Sequence, residues 1–214
     1  MTRMTLSRKP VAAGRPKDPE KRSAILAAGK RLFPQYGFEG TSMDAVAAEA
    51  GVSKLTVYSH FNDKETLFVE VVRAKCEEQL PPDVFLVDPK GPIDSQLLAI
   101  ARGFFGLVTS EESISLHRML AAQSQASMRL SQLFWEAGPR RILEAFEAFL
   151  RAEVAEGQLD IADVPRAASQ FFCLLKGELH ARLLCGCSEP LCSNEVDAHL
   201  RATVDMFLRA YASR

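Results

Sequence analysis

Residues 24–68 read AILAAGKRLFPQYGFEGTSMDAVAAEAGVSKLTVYSHFNDKETLF. The order of caps, breaks and apolar positions in this stretch decides the fold. Ile25, Ala28, Leu32 and Phe33 recur on one face at helical spacing. Just upstream, Asp18 is placed to cap, Pro19 suits a first helical position, and Glu20 complements the positive end of the helix dipole. Pro34 removes an amide donor, so the last turn of this first helix is expected to bend or fray before Gly37. Thr41 or Ser42 then caps a short second helix through Ala50, with Val46 and Ala47 inward. Gly51-Val52 forms a tight connection, and Ser53 caps a third helix from Lys54 to His60. Asp63 caps a fourth, which carries Leu67, Phe68, Val71 and Val72 until Pro81-Pro82 stops it.

Two short helices joined by a turn containing glycine have a specific physical use: the second can lie in the major groove of B-DNA while the first crosses the backbone. Val57 and Phe61 are four residues apart and can join Val46 in a small core that sets the angle between the helices. Lys54, Thr56, Ser59 and His60 are then left pointing away from it, with Tyr58 and Lys64 at the flanks. These are groups that reach base edges or phosphates.

The wording of residues 24–68 closely resembles the TetR/AcrR signature. An alanine-rich first helix ends in Leu32-Phe33, Gly37-Phe38 and Thr41-Ser42 follow, and then come Ala50-Gly51-Val52-Ser53, an aromatic-containing helix, and Lys64-Glu65-Thr66-Leu67. Pro34 departs from the pattern, where the family usually carries a helix former. The resemblance implies base or phosphate contacts from Lys54, Leu55, Thr56, Tyr58, Ser59 and His60, and phosphate contacts from Thr41, Ser42 and Lys64. It also implies a basic arm around Arg15 and Lys17 that reaches a minor groove.

The charge distribution agrees. The net charge is −1, but residues 1–31 hold nine basic side chains against Asp18 and Glu20, so this leader carries +7 and the remainder −8. A polyanion-facing N-terminus on an acidic body is the expectation. No run approaches the roughly 18 apolar residues that cross a bilayer, and no apolar stretch follows Arg3, Arg8 and Lys9. A cytoplasmic protein without a membrane partner is expected, and five cysteines, an odd number, fit reduced thiols.

No segment alternates with period two, so the chain is expected to be all-α. The expected divisions are a flexible arm at 1–17, a three-helix helix-turn-helix domain at 18–63, and a helical bundle for ligand binding and dimerisation at 64–214. Beyond Pro92 the expected helices are 93–109, 111–125, 127–136, 139–156, 163–185 and 194–213. A single helix-turn-helix reads too few bases to be selective, so a homodimer on a near-palindromic operator is expected. Two apolar stripes suit its interface: Ala168, Phe171, Leu175, Leu179 and Leu183 on 163–185, and Val196, Leu200, Val204, Phe207 and Tyr211 on 194–213. The same stripes would equally serve the chain's own core.

The middle of the chain is rich in aromatics, which suggests an apolar cavity for a small-molecule effector. Candidate lining residues are Phe104, Phe105, His117, Met119, Leu120, Gln123, Phe134, Trp135, Phe149, Phe172 and His180. Residues 140–186 are similar to the C-terminal domain of AcrR-like and AefR-like regulators. That similarity implies a hydrophobic or amphipathic effector, repression released by it, and control of a multidrug efflux system. Cys185, Cys187 and Cys192 offer an alternative, a thiol or metal sensor, although no Cys-x-x-Cys pair is present. No nucleophile elbow, phosphate loop or zinc-protease motif occurs, so neither catalysis nor a cofactor nor a bound metal is expected.

Overall fold

In a computed structural model, which describes residues 18–88, 91–122, 128–187 and 191–213, side-chain caps start the helices of the N-terminal part. Asp18 accepts from the Glu20 amide (3.1 Å) and opens α1, Pro19–Gly40. Ser42, not Thr41, caps α2, Met43–Glu49, by accepting from Ala45 N at 3.0 Å. Ser53 does the same for α3, Lys54–His60 (Thr56 N, 3.1 Å), and Asp63 for α4, Lys64–Gln79 (Thr66 N, 2.7 Å). Each cap satisfies an amide that the first helical turn would leave without a partner. Pro34 sits inside α1 without ending it; the helical path breaks at Gly37, where φ is +74°, a value a side chain would oppose.

After α4 a 3-10 turn at Pro82–Phe85, absent from the sequence expectation, leads to the bundle. There α5 (Ile93–Thr109), α6 (Glu111–Ala121), α7 (Met128–Ala137), α8 (Pro139–Ala155), α9 (Val164–Leu184) and α10 (Ser193–Tyr211) follow the expected spans to within a few residues. The end expected for the second bundle helix, near 125, and the arm at 1–17 lie outside the described residues. Among the described residues, extended pairing is limited to one isolated bridge, Leu159 with Ala212. The protein is all-α.

Two apolar cores form. The first gathers Ile25, Phe33, Val46, Val57, Phe61, Leu67 and Phe68, with Leu130 and Ala137 of α7. The second is built around a phenylalanine cluster: Phe146 lies 4.9 Å from both Phe171 and Phe172, Phe171 5.0 Å from Phe207, and Phe172 4.3 Å from Phe104. Such ring pairs add roughly 0.5–1.5 kcal/mol each beyond the area they bury. Through Leu67, Phe68 and Val71, α4 belongs to the first core, although it also runs under the bundle.

The stripes expected at a dimer interface are corrected here. Ala168, Phe171, Leu175 and Leu179, and likewise Leu200, Val204 and Phe207, are buried in the chain's own second core. An amphipathic stripe buries itself against the nearest apolar surface, and the phenylalanine cluster supplies one within the same chain. The outward sides of these helices instead present Cys173, Leu174, Gly177 and Ala181 on α9, and Ala198, Ala202, Met206 and Ala210 on α10.

Candidate nucleic-acid interface and buried cavity

The angle between α2 and α3 is held by Val46 and Val57, both fully buried, and by Phe61 at the end of α3. The turn is closed by Gly51 N to Ala48 O and Val52 N to Ala47 O, 3.2 and 3.0 Å, with Gly51 at φ +65°. A side chain there would meet no neighbour, so the backbone angle alone calls for glycine. With Val57 inward, the opposite side of α3 faces out. Leu55 is 81% and Tyr58 41% exposed, and Lys54 and Ser59 are exposed beside half-buried Thr56 and His60. An apolar side chain so far in solvent has no structural use within the chain.

Hydrogen bonds order this surface. The Ser53 and Thr56 hydroxyls lie 2.8 Å apart, and Ser59 donates to Thr56 O at 2.7 Å. Lys54 pairs with Asp44 of α2 at 2.8 Å, and that carboxylate raises the lysine's pKa above its ordinary value. Ser42 is exposed at the start of α2.

Two residues expected on this surface face elsewhere. Thr41 is 1% exposed, its hydroxyl 2.7 Å from Gly37 O and 3.2 Å from Leu32 O, so it closes the broken end of α1. Lys64 donates to Phe38 O at 2.7 Å and lies 4.3 Å over the Phe38 ring, which draws its charge back onto the fold. Phe38 packs against both Phe33 and Phe68, which also meet each other edge-on at 5.3 Å. The Gly37-Phe38 pair was legible as a motif, but its partner was not.

Above this head, α4 to α9 enclose a cavity of about 410 Å3. Phe104, His117, Phe134, Trp135 and His180 line it as expected, together with Val72, Lys75 and Cys76 from α4 and Lys176 from α9. The other candidates lie elsewhere. Phe105 turns toward His199, ring centroids 6.1 Å apart, because neighbours on a helix point about 100° apart and Phe104 already faces the cavity. Phe172 stacks behind Phe104, and Phe149 stacks on Phe146. Met119 and Leu120 pack on the first core, and Gln123 lies outside the described residues.

The cavity is electrostatically one-sided. Among the described residues no Asp or Glu lines it; Glu112, outside the lining, pairs with Lys75 at 3.3 Å. Burial holds the His117 pKa below its ordinary value, and burial with His117 and Lys176 nearby brings His180 down to about 4. Both rings are therefore neutral at pH 7. The Cys76 thiol is pushed up to about 11 by burial, which makes it inert.

Known proteins match two stretches of the chain separately. Residues 25–71 match the bacterial regulatory proteins of the tetR family, and residues 95–213, more than half of the chain, match the AefR-like transcriptional repressor C-terminal domain. The chain belongs to the TetR family of DNA-binding transcriptional regulators. A TetR-family regulator from Mesorhizobium loti is 28% identical in solved form with a TM-score of 0.77, covering 92% of this chain and 99% of that one. The flavonoid-responsive regulator FrrA is 31% identical with a TM-score of 0.71, covering 92% and 100%. The Escherichia coli (strain K12) regulator RutR is 29% identical over 142 residues, and the match spans 66% of this chain and 60% of RutR.

Among the described residues no three His, Cys, Asp or Glu side chains converge as metal ligands. Cys185, Cys187 and Cys192 are exposed free thiols, and nothing supports a metal or thiol sensor there. No helix among the described residues is long and apolar enough to cross a membrane.

Proposed function

We propose that this TetR-family chain is a homodimeric cytoplasmic repressor released from its operator by a small aromatic effector. Ser42, Lys54, Leu55, Thr56, Tyr58, Ser59 and His60 contact DNA, α3 lying in the major groove. The observation that carries the reading is the double membership of α4. Its Val72, Lys75 and Cys76 wall the cavity, while its Leu67 and Phe68 are fully buried in the core that fixes α2 and α3. A ligand that favours a shifted α4 therefore tilts the reading heads. Two heads must match half-sites about 34–36 Å apart, so a small tilt suffices. The effector moves the equilibrium only by its differential affinity for the two states.

The outward faces of α9 and α10 pair two protomers. Leu174 and Met206 are 41% and 47% exposed there among small residues that permit close approach. FrrA, matched along its whole length, is a flavonoid-responsive regulator, and a planar aromatic effector suits a cavity walled by Phe104, Phe134 and Trp135.

Binding of the purified protein to DNA from upstream of its own gene, across several salt concentrations, tests the proposal. Tight binding to one near-palindrome with a steep salt slope is expected. Equally weak binding to that fragment, to a genome-wide selected pool and to random DNA would overturn it.

A further inference from the structure

One residue of the cavity wall carries a buried polar atom without a hydrogen-bond partner. His180 is 7% exposed, lines the cavity, and its Nε2 has no hydrogen-bond partner. A buried polar atom left this way is costly, and a suitable ligand atom would recover that cost. His117 stands beside it, the two rings perpendicular with centroids 6.0 Å apart. The tautomer of His117 follows from its neighbour. Nδ1 lies 2.7 Å from Ser113 O, a carbonyl oxygen can only accept, and so Nδ1 carries the proton. In the neutral ring the other nitrogen of His117 is then an acceptor.

Resting on the reading of this cavity as the effector site, we propose that it selects planar aromatic compounds bearing a phenolic hydroxyl, bound by the imidazole nitrogens of His117 and His180, and rejects aromatic cations. The hydroxyl donates to the free nitrogen of His117, while Nε2 of His180 takes whichever role the ligand's next polar atom requires. Phe134, already edge-on to His117 at 5.3 Å, and Phe104 and Trp135 sandwich the rings. The volume suits a molecule of two or three fused or linked rings. Cations are disfavoured for a separate reason. Lys176 lines the site beside a Lys75 that pairs with Glu112, no carboxylate among the described residues lines it, and burial strengthens the repulsion from Lys176.

The test uses the full chain without DNA and the quenching of Trp135, the one tryptophan in the sequence, which itself lines the cavity. The probes are 7-hydroxyflavone, flavone and the cation ethidium. We expect 7-hydroxyflavone to bind about 10-fold more tightly than flavone, the worth of one well-placed hydrogen bond. His117→Phe and His180→Phe should each shrink that preference to about 2-fold while flavone affinity persists, which shows that the variants fold. Ethidium should give no saturable quenching. Equal affinity for the two flavones, absence of binding by either, a preference that survives both substitutions, or saturable ethidium binding at similar affinity overturns the proposal. Release of operator DNA separates the two levels. If both flavones release DNA equally, the effector reading stands and the imidazole proposal falls. If 7-hydroxyflavone binds through the histidine pair without releasing DNA, the selectivity stands and the effector reading falls.

Discussion

The Lys64 ammonium lies 2.7 Å from the carbonyl oxygen of Phe38 and 4.3 Å from the centroid of the same residue's ring. The start of α4 is thereby fastened to the end of α1, where the Phe38 ring packs against both Phe33 and Phe68. We expect a side chain engaged this way to serve the fold rather than a phosphate. Lys64→Met keeps the aliphatic stem and loses the donor and the charge. It should cost about 1–2 kcal/mol of stability, or several degrees in Tm for a chain of this size, while the salt slope of DNA binding stays unchanged. A slope that falls by about one with Tm intact would place Lys64 on DNA after all.

The Lys54–Asp44 ion pair lies on the proposed reading surface, with both side chains about 60% exposed. Phosphates and Asp44 therefore compete for one ammonium. Asp44→Asn should tighten binding to every DNA sequence several-fold. Lys54→Ala should weaken it and lower the log–log salt slope by about one. Titrations at four salt concentrations on operator and random DNA read both effects. If Asp44→Asn weakens binding, the pair is an orienting element and not a competitor.

Local signals were legible wherever one residue decides. Ser53 and Asp63 name the starts of α3 and α4, because a side-chain acceptor before an apolar periodic run has one economical use. Helix α5 falls on its expected 93–109 span, between Pro92 and Ser110. Choices settled by a distant partner were not legible. The stripe Leu200, Val204, Phe207 gives the same pattern whether it meets a second protomer or Phe171 of its own chain. Phe104 and Phe105 are equivalent in sequence, and only the rotation of α5 separates the cavity wall from a neighbour of His199. Thr41 carries the family's motif, yet a break at Gly37 turns its hydroxyl inward.

His180 makes stability depend on pH. Its ordinary value of 6.5 drops to about 4 on folding, so between those values the unfolded chain binds the extra proton and the folded chain does not. Stability is full above 6.5 and falls as pH drops toward 4, by up to about 1.4 kcal/mol per pH unit from this group. His180→Phe should flatten that part of the profile in chemical denaturation between pH 7 and 5. An unchanged slope would mean that another group carries the acid sensitivity.

Glu153 has the opposite sign. It is 2% exposed, its Oε1 has no hydrogen-bond partner, and burial, with Glu156 nearby, raises its pKa above the ordinary 4.5. The folded chain therefore holds this proton more tightly than the unfolded one, and stability declines as pH rises through the raised value. Glu153→Gln, which stays neutral, should add about 1 kcal/mol at pH 8 and nothing at pH 4. Equal Tm for the two proteins at pH 8 would show that the carboxylate finds a partner when ionised.

Gly177 breaks α9 at φ +47° and ψ −154°, and the His199 ring fills the space beside it, with Nε2 2.9 Å from Leu175 O. A methyl group on residue 177 would approach His199 Cε1 to 2.9 Å while forcing a side chain into a backbone region that only glycine enters freely. Neither problem has a cheap escape, since moving His199 surrenders its bond to Leu175 O. Gly177→Ala should therefore destabilise the chain by about 1–3 kcal/mol. Gly177 also lies on the outward face between Leu174 and Ala181, so the same substitution should weaken the proposed dimer, read as a raised dissociation constant in sedimentation equilibrium. His199→Leu separates the two effects, because it removes the carbonyl's partner from inside the chain while the outward face stays intact. Lower Tm with unchanged dimerisation is expected for His199→Leu. Lower Tm with unchanged dimerisation for Gly177→Ala as well would move the interface away from α9.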